Sequence, residues 1–258
     1  MNFINSFQSE WLKKKRSLAS WLVIVGAFFT PTIILLVRLK NYQALPKIYT
    51  TEDFWTKLWF TTWESMMILL LPMGIILAAA LIAQIEYKNN AWKQLHTTPQ
   101  AYATIFFAKL SVILVMMAEL FVLFNLGMYL SAIIPSLIFG SVPFPTAPFP
   151  IKEFLFGNIN FFIECLPILA LQYLISLQFK NFLVPIGAGF VIWALGIGMT
   201  SWEYSYIFPF NQGVIDFLKS SGNLKREISV NLQLLAISYF VIFTTAGYVL
   251  YVTKKEKG

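Results

Sequence analysis

The chain has 258 residues, of which 58% are hydrophobic and only 12% charged, with a mean hydropathy of +0.68. A soluble domain carries about twice that share of charge, so a soluble enzyme or soluble binding module is excluded. The formal net charge of +7 does not indicate nucleic acid, because the basic residues flank apolar runs instead of forming one patch.

Residues 2–16 read as an amphipathic helix lying on a membrane surface. Phe3, Ile4, Phe7 and Trp11 recur at helical spacing on one face, opposite Asn5, Gln8, Ser9 and Glu10. The run Lys13, Lys14, Lys15, Arg16 then falls at the level of anionic headgroups; a disordered basic tail is the alternative. Six apolar stretches follow, at about 18–37, 62–83, 103–124, 161–179, 182–199 and 232–252, each near the length that crosses a hydrocarbon core of about 30 Å. The first is too long for a signal-peptide core and lacks a clean cleavage site, so it is retained as a span. Only Lys180 and Asn181 separate the fourth and fifth, which predicts a tight helical hairpin. The expected fold class is an all-α membrane protein of six transmembrane helices, one domain over residues 1–258.

Three long connections fall on one side of this layout. Residues 41–61 are mixed in charge, and residues 135–160 hold VPFPTAPFP, whose prolines enforce an extended path. Residues 200–231 open with the aromatic cluster WEYSYIFPF and continue through Gly213–Gly222 as a short re-entrant or surface helix. The other side collects most of the 19 Lys and Arg and only Glu10, Glu86 and Glu256 among the acids. This bias predicts both termini in the cytoplasm, opposed only by Arg38 and Lys40 beside the first span.

Several chemistries are excluded by what is missing. No Gly-rich loop ending in Lys-Ser/Thr is present, so the chain carries no P-loop of its own. One histidine and one cysteine leave no basis for a His/Cys metal site. Cys165 falls within the fourth span and His96 in a loop, which removes intrachain disulfides and His-dependent intramembrane proteolysis.

Three acids lie in or at the ends of spans: Glu64 at the outer start of the second, Glu119 in the outer half of the third, and Glu164 at the outer start of the fourth. With Arg38 nearby they would line an outer-leaflet cavity, a candidate substrate path, since intramembrane acids are costly and mark function. The other reading has Glu64 and Glu164 reaching the headgroups and Glu119 bracing a neighbouring helix.

The most informative stretch is 85–99, between the second and third spans. It carries Glu86, Lys88, Lys93 and His96, with Trp92 and Leu95 three apart on one face of a short helix. The order FQSEWLKKKRS (Phe7 to Ser17), then Glu86, then AWKQLHTTP (Ala91 to Pro99), then Lys109 resembles the permeases of ABC-2 type exporters. That family shows a Glu-x-x-x-Gly-[Ser/Thr]-Trp-[Lys]-x-Leu…Pro pattern followed by Ala-Lys, and the departure here is Asn90-Ala91. Size and layout look most like permeases of lantibiotic or bacteriocin immunity systems.

The resemblance implies a permease paired with a second permease and with separate ATPase subunits, which would bind the ATP and magnesium; the chain itself would hold no cofactor. Trp92 and Leu95 would insert into an ATPase groove as a coupling helix, with Glu86, Lys88 and Lys93 setting its register. The interfacial helix, through Phe3, Phe7, Glu10 and Trp11, would form a second contact. The implied setting is the cytoplasmic membrane of a bacterium, with lipid as a partner and no nucleic acid. Two rival functions stand beside it: a non-transporting anchor that recruits an ATPase to an envelope machine, and an intramembrane enzyme, which the missing catalytic sets disfavour.

Overall fold

The computed structural model describes residues 3–15, 17–88, 101–224 and 226–253. The described residues form helices joined by turns. Helix α1 (Phe3–Lys15) leads into α2 (Leu18–Lys40) through Ser17, whose Oγ accepts from the Ala19 N–H and donates to the Lys14 carbonyl at 2.8 Å. That serine stops one helix and caps the next. A 3-10 turn (Tyr42–Ala44) and short α3 (Leu45–Tyr49) then reverse the chain into α4 (Phe54–Ser65). A π-helical segment (Met66–Leu70) joins α4 to α5 (Leu71–Lys88). Beyond lie α6 (Tyr102–Ile138), α7 (Ile151–Gln178), α8 (Leu183–Gly198), α9 (Gln212–Ser220) and α10 (Leu232–Thr253).

Among the described residues, five helical stretches are long and apolar enough to cross a membrane: α2, Phe54–Ile85, α6, α7 and α10. The fifth expected span is shorter. Helix α8 has 16 residues, about 24 Å at 1.5 Å per residue, and ends where Met199 caps it and turns begin. Where six spans were expected, the described residues hold five such helices and one shorter apolar helix.

Other boundaries shift outward. Helix α6 runs 37 residues rather than the 22 of its apolar core window, because the sequence stays apolar and free of breakers until Pro135. Helix α7 starts ten residues before residue 161; its early Asn158 is satisfied by reciprocal amide bonds to Asn125 of α6 at 2.7 and 3.2 Å. The proline-rich connection is extended as expected, held by Thr146 N–H on the Tyr49 carbonyl (3.1 Å) and the Trp55 indole on the Ala147 carbonyl (2.9 Å).

The bundle packs α2 on α6, α5 on α7, and α10 on α7. Its centre is a layer of stacked and edge-on rings: Trp59, Trp63, Phe121, Phe124, Phe154 and Phe161. In lipid such contacts stabilise by close packing rather than by leaving water. The described ends of the chain share one end of the bundle: α1 lies against the first half of α6, and Tyr251 of α10 packs on Tyr102 and Phe106. Helix α6 starts at that same end.

Candidate functional site

At this end of the bundle, α1 is fastened to α6 by charge. Lys109 Nζ donates to Glu10 Oε2 at 2.6 Å, and Lys13 Nζ donates to Glu10 Oε1 at 2.6 Å. One turn on, Lys14 Nζ donates to Glu119 Oε2 at 2.6 Å while lying 4.0 Å from the Trp11 ring centroid. The Lys109 side chain is 1% exposed and that of Glu10 6%. Glu10 and Lys14 are four apart, so they share one face of α1, and Ser6 extends that buried face.

The face of α1 that meets the bundle is not the apolar one. Its buried stripe is the polar one, Ser6–Glu10–Lys14; Phe3 and Ile4 are exposed, and Phe7 and Trp11, stacked at 5.9 Å, are only half-buried. The reason is the partner. Helix α6 offers a buried amine, Lys109, and a partly exposed carboxylate, Glu119, and a buried charge is costly without a counter-charge. Burial pushes the Glu10 carboxyl up, but attraction by Lys109 and then Lys13, with their hydrogen bonds, outweighs it and holds the group below its ordinary range.

Helix register places the three intramembrane acids differently from expectation, because the helices outrun the apolar windows. Phe28 and Pro31 of α2 touch Gly127 of α6 so closely that a Cβ there would lie 3.0–3.1 Å from them. Glu119, two turns earlier, is therefore level with the first half of α2, on the α1 side of the bundle's middle rather than in an outer half. Its partner is Lys14. Glu64 is the eleventh residue of α4, about 15 Å along the helix rather than at its start. The adjoining Ser65 hydroxyl shares a 2.9 Å hydrogen bond with Thr30, mid-way along α2. The side of α4 bearing Glu64 is exposed and carries Lys57, Thr61 and Ser65 as well.

Glu164 lies mid-way along α7 and is wholly buried. Gln233 Nε2 of α10 donates to its Oε1 at 2.8 Å, and its Oε2 has no hydrogen-bond partner. Arg38 joins none of these acids. It lies over the Tyr49 and Phe54 rings at 5.5 and 5.1 Å and donates to the Ser131 carbonyl. The acids and Arg38 thus occupy separate places and do not line one cavity.

Of the coupling stretch, Glu86 and Lys88 lie on the last turn of α5; their side chains, and Trp92, Lys93 and Leu95 entirely, fall outside the described residues. The site residues not singled out from sequence are Lys14 and Lys109. A legible signal existed: Glu10 and Lys14, four apart, complement an opposed Lys109 and Glu119 on an otherwise apolar helix.

The model of the ABC-2 family transporter protein matches residues 6–196. The chain belongs to that family. No curated protein and no solved structure matches it. The match spans α1 through most of α8 and so includes both ion pairs to α6, whereas α9 and α10 lie beyond it. Membership makes the chain a multi-pass transmembrane permease of an ABC transporter, a subunit that is not itself the ATPase and whose family works with one.

Proposed function

We propose that this permease exports an amphipathic peptide or a lipid-linked molecule, paired with a second permease, from the cytoplasmic membrane of a bacterium with both termini in the cytoplasm. The observation that carries the mechanism is the pair of ion bridges joining α1 to α6. Helix α6 begins directly after residues 89–100, so force delivered there by an ATPase passes into α6 and, through Lys109–Glu10 and Glu119–Lys14, into α1 and α2. Trp92 and Leu95 insert into the ATPase, and Glu86, Lys88 and Lys93 set the register. ATP and magnesium bind the partner. Direction then comes from cargo binding the two states of the permease unequally.

The exposed polar side of α4 supports the pairing. A carboxylate about a third of the way along a spanning helix is costly against lipid, and Glu64 is satisfied where a second permease and water cover it. The non-transporting anchor shares the ATPase contact but needs no such path.

The test is reconstitution of the permease with its ATPase in vesicles. Trp92→Ala with Leu95→Ala is expected to abolish ATPase co-purification, while Glu10→Gln with Lys109→Met keeps the complex but lowers transport per ATP hydrolysed. Full coupling in both variants would refute the mechanism, and ATPase binding without any cargo movement would favour the anchor.

A further inference from the structure

The end of the bundle opposite α1 is built around Glu164. Helix α9 is inserted there, beyond the family match, and is pinned by Asn211, whose Nδ2 donates to the Gly196 carbonyl at 2.9 Å. Gly213 lets α9 approach closely: a Cβ there would lie 2.8 Å from Met67 Sδ and 3.8 Å from Glu164 Cβ. The preceding Gln212 is 0% exposed, and neither its amide oxygen nor its nitrogen has a partner. Asp216, four residues on, shares the face of Gln212, is half-buried, and acts electrostatically on Glu164. Lys219 follows at the exposed rim. Phe217 of α9 packs against Phe60 and Phe161 at 6.0 and 6.5 Å, walling the same region with rings.

Buried polar atoms are nearly always satisfied, and a group left over needs an explanation. Here Glu164 Oε2 and Gln212 Oε1 are acceptors without a hydrogen-bond partner, and the half-buried Asp216 carboxylate, which Lys219 attracts, adds a third acceptor beside them. Among the described residues no ion pair reaches Glu164, and no group of three or more His, Cys, Asp or Glu gathers as a metal site requires. Three acceptors match the three N–H donors of a primary ammonium, and aromatic walls favour an organic cation over a bare ion.

We propose that Glu164, Gln212 and Asp216 form a binding site for a primary ammonium group, covered by α9. Helix α9 is the moving cover, since it is short and joined by turns on both sides. The ammonium has two natural sources, the amine of a cationic peptide and the headgroup of an aminophospholipid. This site goes beyond the exporter reading and does not depend on it.

The experiment uses the full-length permease in nanodiscs of phosphatidylcholine, probed with n-hexylammonium and, as a control without N–H donors, n-hexyltrimethylammonium. Binding is read by isothermal titration, with ATPase co-purification recorded separately so that loss of the permease role is seen independently. The primary amine is expected to bind and the trimethyl analogue not. Glu164→Gln should weaken binding roughly ten- to a hundredfold, the scale of a lost charged hydrogen bond. Asp216→Asn, nearer the rim, should give a smaller loss and serves if the Glu164 variant fails to fold. Native mass spectrometry from mixed discs then assigns the source: retained phosphatidylethanolamine that Glu164→Gln releases marks the lipid, and amine binding without lipid retention marks the peptide. Equal binding of both probes, unchanged binding in Glu164→Gln and Asp216→Asn, or binding only after Lys219→Met, would each overturn the proposal; the last would show that the chain's own lysine fills the site.

Discussion

Two buried glutamates meet opposite fates in this molecule. Glu10 is gripped by two lysines, one local and one from a helix 99 positions away. Glu164 is more deeply buried and receives only an amide from Gln233. The first is a joint, in which every charge is answered from within the chain. The second has one carboxylate oxygen with no hydrogen-bond partner among the described residues. Burial alone would have ranked them alike; the inventory of donors around each separates them.

The comparison breaks most visibly at Lys109. Lys109→Met leaves Glu10 with Lys13 alone, and removing one partner of a buried pair costs about 3–5 kcal/mol. The expected outcome is release of α1, read as fast hydrogen exchange and proteolysis in residues 3–15. Glu10→Gln with Lys109→Met should recover much of that loss. Unchanged protection in the single variant would show that the pair holds nothing.

Acid should do reversibly what that substitution does permanently. The folded Glu10 carboxyl is held below its ordinary value of 4.5. Its contribution is therefore complete above that value and lost as pH falls through the lower, folded one. Protection of α1 should hold at neutral pH and decline only below about 4.5, with Glu10→Gln flat over the same window. Loss of protection at pH 6 would contradict the assignment.

A smaller effect is expected at Glu119, whose side chain is 37% exposed. Solvent screening reduces the worth of such a pair, so Glu119→Gln should cost about 1 kcal/mol or less in thermal unfolding. The smallest effect belongs to Glu164. With no ion pair to lose among the described residues, Glu164→Gln keeps the bond from Gln233 and should leave stability within about 1 kcal/mol of the original. A large loss there would make Glu164 a second joint and erase the contrast.

Much of this was legible in the residues. Apolar runs identify the helices, and the motif from Phe7 to Lys109 points to the family. Span ends were not, because a hydropathy window closes at Asn125 and Asn158, which answer each other across α6 and α7. The orientation of α1 was hidden for a related reason. Its amphipathic pattern specifies two faces but not which one meets the bundle, and that choice was made by Lys109 and Glu119 far along the chain. Arg38 was misplaced because a cation beside carboxylates suggests ion pairing, whereas the rings of Tyr49 and Phe54 reach it first. Glu164 was recognised as unusual, yet its surroundings depend on α9, whose packing against α7 no periodicity announces.

The long reach of the α1 bridges also has a consequence for biogenesis. Glu10 and Lys109 are 99 positions apart, and Lys14 and Glu119 are 105. As the chain emerges from the ribosome, α1 and the first hairpin are finished well before their charged partners exist. The N-terminal helix must wait, undocked, until α6 is threaded into place. Docking of α1 therefore follows the synthesis of α6, which supplies Lys109 and Glu119.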